Sequence, residues 1–149
     1  MEILKKIGLD WKDRRLVLNL YLNQTARVRT SEGESEWAEL GRGVRQGCQL
    51  SSLLFNIYAE EMVNEAWEDI SKGVKVGGEM MKSVRYADDK AIVCNSERGL
   101  QMLVNALKEK AIEYEMKINV NKTKVMRFTQ GRKAKLTIRV DGEKLEQVD

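Results

Sequence analysis

This 149-residue chain has no histidine, no proline and only two cysteines, Cys48 and Cys94. Without histidine there is no imidazole for proton transfer near neutral pH, and two cysteines cannot complete a zinc site. A lone pair of cysteines suits a reduced, intracellular protein better than a disulfide framework. No run of about 18 apolar residues is present and the first residues lack a secretory apolar core, so neither a membrane span nor a signal peptide is expected. Average usage would supply about seven prolines in this length, and their absence bears on one loop below.

Hydrophobic residues make up 42% of the chain and charged residues 33%. That is enough apolar material for one domain, or a large piece of one. The net charge of +3 is mildly basic and by itself says little about nucleic acid. Its distribution is uneven. Glu32, Glu34, Glu36 and Glu39 fall in one segment, and Lys122, Lys124, Arg127, Arg132, Lys133 and Lys135 in another. Both clusters also suit ordinary solvated faces.

Periodicity predicts a short helix over residues 1–8, ended by Gly8, and a second helix capped by Asp10 with Leu16, Val17, Leu20 and Tyr21 on one face. Thr25–Thr30 alternates and can pair with Trp37–Leu40 across the Ser31–Glu36 turn. A glycine-rich loop, Gly41–Gly47, then feeds a helix from about Ser51 to Asp69. The first half of that helix is apolar nearly all round and is expected to be buried. Val74–Val76 reads as a strand ended by Gly77-Gly78, and Ser83–Cys94 as a hairpin. Ser96 caps the clearest helix, with Leu100, Leu103, Val104, Leu107, Ala111 and Tyr114 in one stripe. Met116–Val120, Thr123–Phe128 and Leu136–Val140 are strand-like, and Asp141-Gly142 is a type I′ turn signal. The outline is α+β or α/β, without repeats.

Three segments carry chemistry. In Tyr86-Ala87-Asp88-Asp89, two adjacent carboxylates interrupt an otherwise strand-like apolar run. Hard divalent cations at a phosphoryl-transfer site use such ligands, although Asp-Asp also suits a plain turn. In Arg42-Gly43-Val44-Arg45-Gln46-Gly47-Cys48, glycines permit close backbone approach and arginines can pair with phosphate. The same loop also reads as a simple hairpin-to-helix connection. Lys117-Ile118-Asn119-Val120-Asn121-Lys122-Thr123-Lys124 puts lysines at a turn after the long helix, where one could neutralise or protonate a leaving pyrophosphate, or merely face solvent.

Taken in order, Gly43–Cys48 with Ser51, Leu53–Tyr58, Tyr86–Asp89, Lys117–Asn119 and Asn121–Lys124 resemble the palm of reverse transcriptases, above all those of non-LTR (LINE-type) retrotransposons. The resemblance covers essentially the whole chain. It implies an α+β fold: a partial polymerase palm with an antiparallel sheet packed on helices, lacking the first catalytic strand, fingers and thumb. One partial domain over 1–149 is expected, with a helical part at about 1–24, the first hairpin, Gln-Gly loop and helix start at 25–58, the Tyr-Ala-Asp-Asp hairpin at 83–94, and the helix with its basic turn-strand at 96–128. The implied activity is RNA-directed DNA polymerisation with Mg²⁺ or Mn²⁺, acting on an RNA template and a DNA primer. Asp88 and Asp89 would bind metal and Lys122 would lie near the triphosphate, with Lys124 in second place. Arg45, Gln46, Gly47, Tyr86 and Ala87 would face nucleotide or template.

The departures from the family pattern are specific. The family's further aspartate lies on a strand just upstream of the helix that here begins at Met1, and Glu2, Asp10 and Asp13 lie in helix-start contexts that do not replace it. The chain alone is therefore expected to be catalytically incomplete. The alternatives are a non-catalytic retrotransposon remnant or a repurposed module that binds RNA or protein. Gln49 and Ser52 stand where the family usually has proline, at a modest cost of about 0.4–1 kcal/mol each through unfolded-state entropy. Without a partner strand, the Asp-bearing hairpin would present an open edge, so marginal stability or self-association through it is expected.

Overall fold

The computed structural model describes residues 1–87, 89–129 and 135–148. Arg132 and Lys133 of the basic cluster lie outside them. The chain divides into two compact units, Met1–Tyr58 and Ala59–Asp149.

In the first unit, α1 (Glu2–Lys6) ends where Gly8 takes a φ of +90° and the Leu9 N–H donates to the Leu4 carbonyl at 3.0 Å. The left-handed conformation needed there is cheap only for glycine. Asp10 caps α2 (Trp11–Tyr21) as its position before the apolar stripe predicts. Its carboxylate accepts from the Lys12 and Asp13 N–H groups at 2.8 and 2.9 Å. Asp10→Ala is expected to destabilise this unit by about 1 kcal/mol, read as a lowered urea midpoint of the helical signal. The apolar face read from sequence is not covered, however. No α2 residue is buried, and Leu16 remains 63% exposed.

The predicted hairpin forms, but its turn is shorter than Ser31–Glu36 because Gly33-Glu34 already pairs back, and the result is a double ladder. β1 (Thr25–Ala26) pairs with β4 (Ala38–Glu39), and inside it β2 (Arg29–Thr30) pairs with β3 (Gly33–Glu34). The acidic cluster is partly used here. Glu34 accepts from both Arg27 and Arg29, and the Arg27 guanidinium lies 4.8 Å from the centre of the Trp37 ring. A stacked, paired arginine tethers the two arms where the ladder is interrupted.

α3 (Gln49–Trp67) corrects the sequence reading. Its first half, apolar nearly all round, is not buried: Leu53 is 55% exposed, and Leu54, Phe55 and Ile57 are only half-buried. The buried apolar side chains of α3 are Ala59, Met62, Val63, Ala66 and Trp67, all in the second half. Burial needs an opposing element, and α4 (Glu97–Glu113) supplies one to that second half.

The core of the second unit is built on α4. Leu103, Leu107 and Ala111 meet Met62, Val63, Ala66 and Trp67, and the Trp67 indole N–H donates to the Leu103 carbonyl at 3.0 Å. Val104 instead joins Val125, Leu136, Ile138, Val140 and Leu145. The single stripe read from the sequence thus serves two clusters, as a wide helical face can. Ser96 accepts from the Gly99 N–H at 3.2 Å, capping α4 as expected.

Strands pair two by two among the described residues, rather than forming one sheet. β5 (Val74–Val76) and β6 (Glu79–Met81) turn at Gly77-Gly78. β7 (Ser83–Tyr86) pairs with β8 (Asp89–Ile92), and β10 (Arg139–Val140) with β11 (Glu143–Lys144) across the expected Asp141-Gly142 turn. All are antiparallel except β9 (Lys124–Met126) with β12 (Glu146–Val148), which is parallel and carries a Lys124–Glu146 ion pair. At the β10–β11 turn, Lys108 pairs with Asp141 at 2.6 Å, a hydrogen bond that raises the lysine above its usual range. Met116–Val120 keeps the alternating burial of a strand, yet lies outside any ladder among the described residues. The α+β outline holds, with no helix long and apolar enough to cross a membrane among the described residues.

Candidate active site

Antiparallel register sorts the residues of the β7–β8 hairpin onto two faces. Directly opposite residues share a face, so Val84, Tyr86, Asp89 and Ala91 form one side, and Ser83, Arg85, Lys90 and Ile92 the other. Every residue of the first set is exposed, with Tyr86 at 84%, whereas Ile92 packs against both core clusters. Asp89 therefore sits on the solvent side, beside the turn and opposite Tyr86. Asp88 lies outside the described residues. Ala87 adopts a φ of +50°, a conformation that costs a residue with a Cβ roughly 1–2 kcal/mol. Asp89 belongs to the returning strand, as the first residue of β8.

The Gln-Gly loop lies in the first unit. Arg45, Gln46 and Gly47 are exposed, and Gln46-Gly47 form a turn closed by the Cys48 N–H donating to the Arg45 carbonyl at 3.4 Å. Gly47 has a φ of +81° and open space where a Cβ would project. Backbone conformation, not crowding, is what requires glycine here. Behind the loop, the buried Ser51 hydroxyl meets the Tyr21 hydroxyl at 3.0 Å, tying α2 to the start of α3. The N–H of Leu50 at the helix start, with Ser51 and Tyr21, holds the Cys48 thiol below its usual range.

The basic turn is organised by Asn119. Its side-chain carbonyl accepts from the Lys122 N–H at 3.1 Å, and its backbone carbonyl accepts from the Thr123 hydroxyl at 2.8 Å. This Asx-type turn leaves the Lys122 side chain exposed. Lys124, by contrast, is committed to Glu146. A cleft of about 480 Å³ separates residues 117–121 from Asp141 and Glu143. Asn119 was missed as an organiser in the sequence, although an Asn three residues before a turn lysine is a recognisable Asx signal.

Among the described residues, no group of three carboxylate, cysteine or histidine side chains comes together as a metal cluster. Asp89 is an exposed hard-oxygen donor on a hairpin shoulder, and Asp88 adjoins it in sequence. Oxygen donors of this kind, which leave positions open for water or phosphate, fit Mg²⁺ or Mn²⁺ in chemistry.

Residues 2–145 match the family described as reverse transcriptase (RNA-dependent DNA polymerase). The chain is similar to the retrovirus-related Pol polyprotein from type-1 retrotransposable element R2 of Nasonia vitripennis, with 29% identity over 101 residues, 68% of this chain and 10% of that protein. It is also similar to the retrovirus-related Pol polyprotein from type-2 retrotransposable element R2DM of Drosophila melanogaster, with 31% identity over 81 residues, 54% of this chain and 8% of that protein. The chain thus aligns with a tenth or less of the length of these relatives.

Proposed function

The chain belongs to the reverse transcriptase (RNA-dependent DNA polymerase) family, and from that premise we propose that it is palm material of an RNA-directed DNA polymerase of the LINE type. The parent activity is template-directed nucleotidyl transfer onto a DNA primer paired with RNA. The observation that carries the reading is the β7–β8 hairpin, whose register sets Asp89 on the open face opposite the exposed Tyr86.

Asp88 and Asp89 would hold Mg²⁺ or Mn²⁺, which when bound supplies positive charge to the attacking and leaving oxygens. Tyr86 would offer an aromatic face to nucleotide or template, and Ala87 a small side chain beside it. Arg45 offers a guanidinium fork for phosphate, while the Gln46-Gly47 turn presents backbone free of side-chain bulk toward nucleotide and template. Lys122, held out by the Asn119 turn, would neutralise charge on the departing pyrophosphate.

The test is primer extension on a homopolymer RNA template with Mg²⁺ or Mn²⁺, using the polypeptide that carries this chain. The reading expects incorporation that requires the divalent ion and the Asp pair. Incorporation indifferent to both would overturn it, and RNA binding without extension would favour the repurposed-module reading.

A further inference from the structure

Two contacts of different kinds lash β7 to α3. The Lys82 ammonium donates to the carbonyl of Trp67, the last residue of α3, at 2.6 Å. The Arg85 guanidinium pairs with the Glu60 carboxylate at 2.7 Å. Glu60 and Trp67 are seven residues apart, a helical rise of about 10.5 Å. Lys82 and Arg85 are three residues apart, an extended rise of about 10 Å. The two spacings match, so β7 runs antiparallel along α3 with an anchor at each end. Lys82 fixes the base of the hairpin and is favoured there by the negative end of the helix dipole. Arg85 fixes the tip, one residue before Tyr86.

The tip anchor also answers a local conflict. Arg85 lies directly opposite Lys90 in the hairpin register, and like charges in that relation push strands apart. The Glu60 carboxylate supplies counter-charge on that same inward face. The geometry points to Glu60 and Arg85 as positioning residues for the hairpin end that carries Asp89: their ion pair sets where that carboxylate stands relative to α3. Both side chains are partly exposed, 29% for Arg85 and 51% for Glu60, so the pair contributes little to global stability. Its effect is expected in the geometry of the turn, where a displacement of about 1 Å is costly to function.

The inference rests on reading the turn as a metal site, so its test has two readouts. In the 149-residue chain, Mn²⁺ titration is followed by paramagnetic broadening of the amides of residues 87–90, and hydrogen exchange is followed at residues 84–92. Glu60→Gln is expected to weaken Mn²⁺ binding about tenfold, and Glu60→Arg to weaken it further, with the melting temperature nearly unchanged. The double variant Glu60→Arg with Arg85→Glu should restore affinity, because the pair is rebuilt with reversed sign. Exchange at the tip should accelerate in the single variants and recover in the double. Equal affinity and exchange in all four proteins would overturn the inference. If the unaltered chain binds no Mn²⁺ at the turn, the metal-site reading fails, while the exchange pattern still decides whether the pair positions the hairpin.

Discussion

In the polypeptide that carries this chain, Asp89→Asn is expected on the proposed reading to reduce template-directed incorporation by about three orders of magnitude, with folding unchanged. The substitution keeps the side chain's size and removes only its negative charge. A metal-held carboxylate contributes several kcal/mol to transition-state stabilisation, and each 1.36 kcal/mol is a factor of about ten in rate. No offsetting stability loss is expected, because Asp89 is exposed on the open face of β8 and its backbone pairing with Tyr86 does not depend on the carboxylate. The loss should therefore appear in kcat/KM for incorporation at constant melting temperature. A variant that unfolds would show instead that the carboxylate is structural. A variant that folds and incorporates normally would remove this hairpin from the chemistry.

Gly73→Ala is expected to destabilise the second unit by about 2–4 kcal/mol, enough to take much of the margin of a small domain. Two effects add. Gly73 has a φ of +154°, which L side chains rarely adopt, and a Cβ there would be driven into the backbone carbonyl oxygen of Met81. Backbone cannot swing aside as a side-chain tip can, so the β5–β6 ladder would have to shift. Gly77→Ala is the comparison. At φ +59° it meets nothing within 4 Å, so only the conformational cost of about 1 kcal/mol applies. Urea midpoints of the two variants should separate in that order, and equal midpoints would refute the clash.

Local devices were legible in the sequence. Asp10 and Ser96 cap their helices, Asp141-Gly142 turns its hairpin, and Thr25-Ala26 pairs back with Ala38-Glu39, although Arg29-Thr30 pairs with Gly33-Glu34 inside the stretch read as a turn. Each depends on interactions within a few residues, where side-chain chemistry and backbone preference act directly. The second strand of the Gly77-Gly78 hairpin, Glu79–Met81, was missed because its residues are all exposed and show no alternation. The first half of α3 misled for the opposite reason. Leu53 and its neighbours are apolar, but composition does not say whether a partner faces them.

Of the candidate site, the carrying motifs were legible and their support was not. The Tyr86–Asp89 motif, the Gln46-Gly47 loop and Lys122 are short strings whose order suffices to identify the family. The strained Ala87, the Asn119 hydrogen bonds and the Glu60–Arg85 pair arise from turn geometry and from contacts between elements distant in the chain.

By itself, then, the sequence determined the family, the α+β outline, and the caps and turns. The tertiary structure decided which half of α3 carries the buried apolar side chains, which face of the hairpin carries Asp89, and which carboxylate pairs with Arg85. The division has a physical cause. Caps and turns are settled within one or two turns of chain, whereas burial and hairpin placement depend on which surfaces, remote in sequence, come to lie against each other.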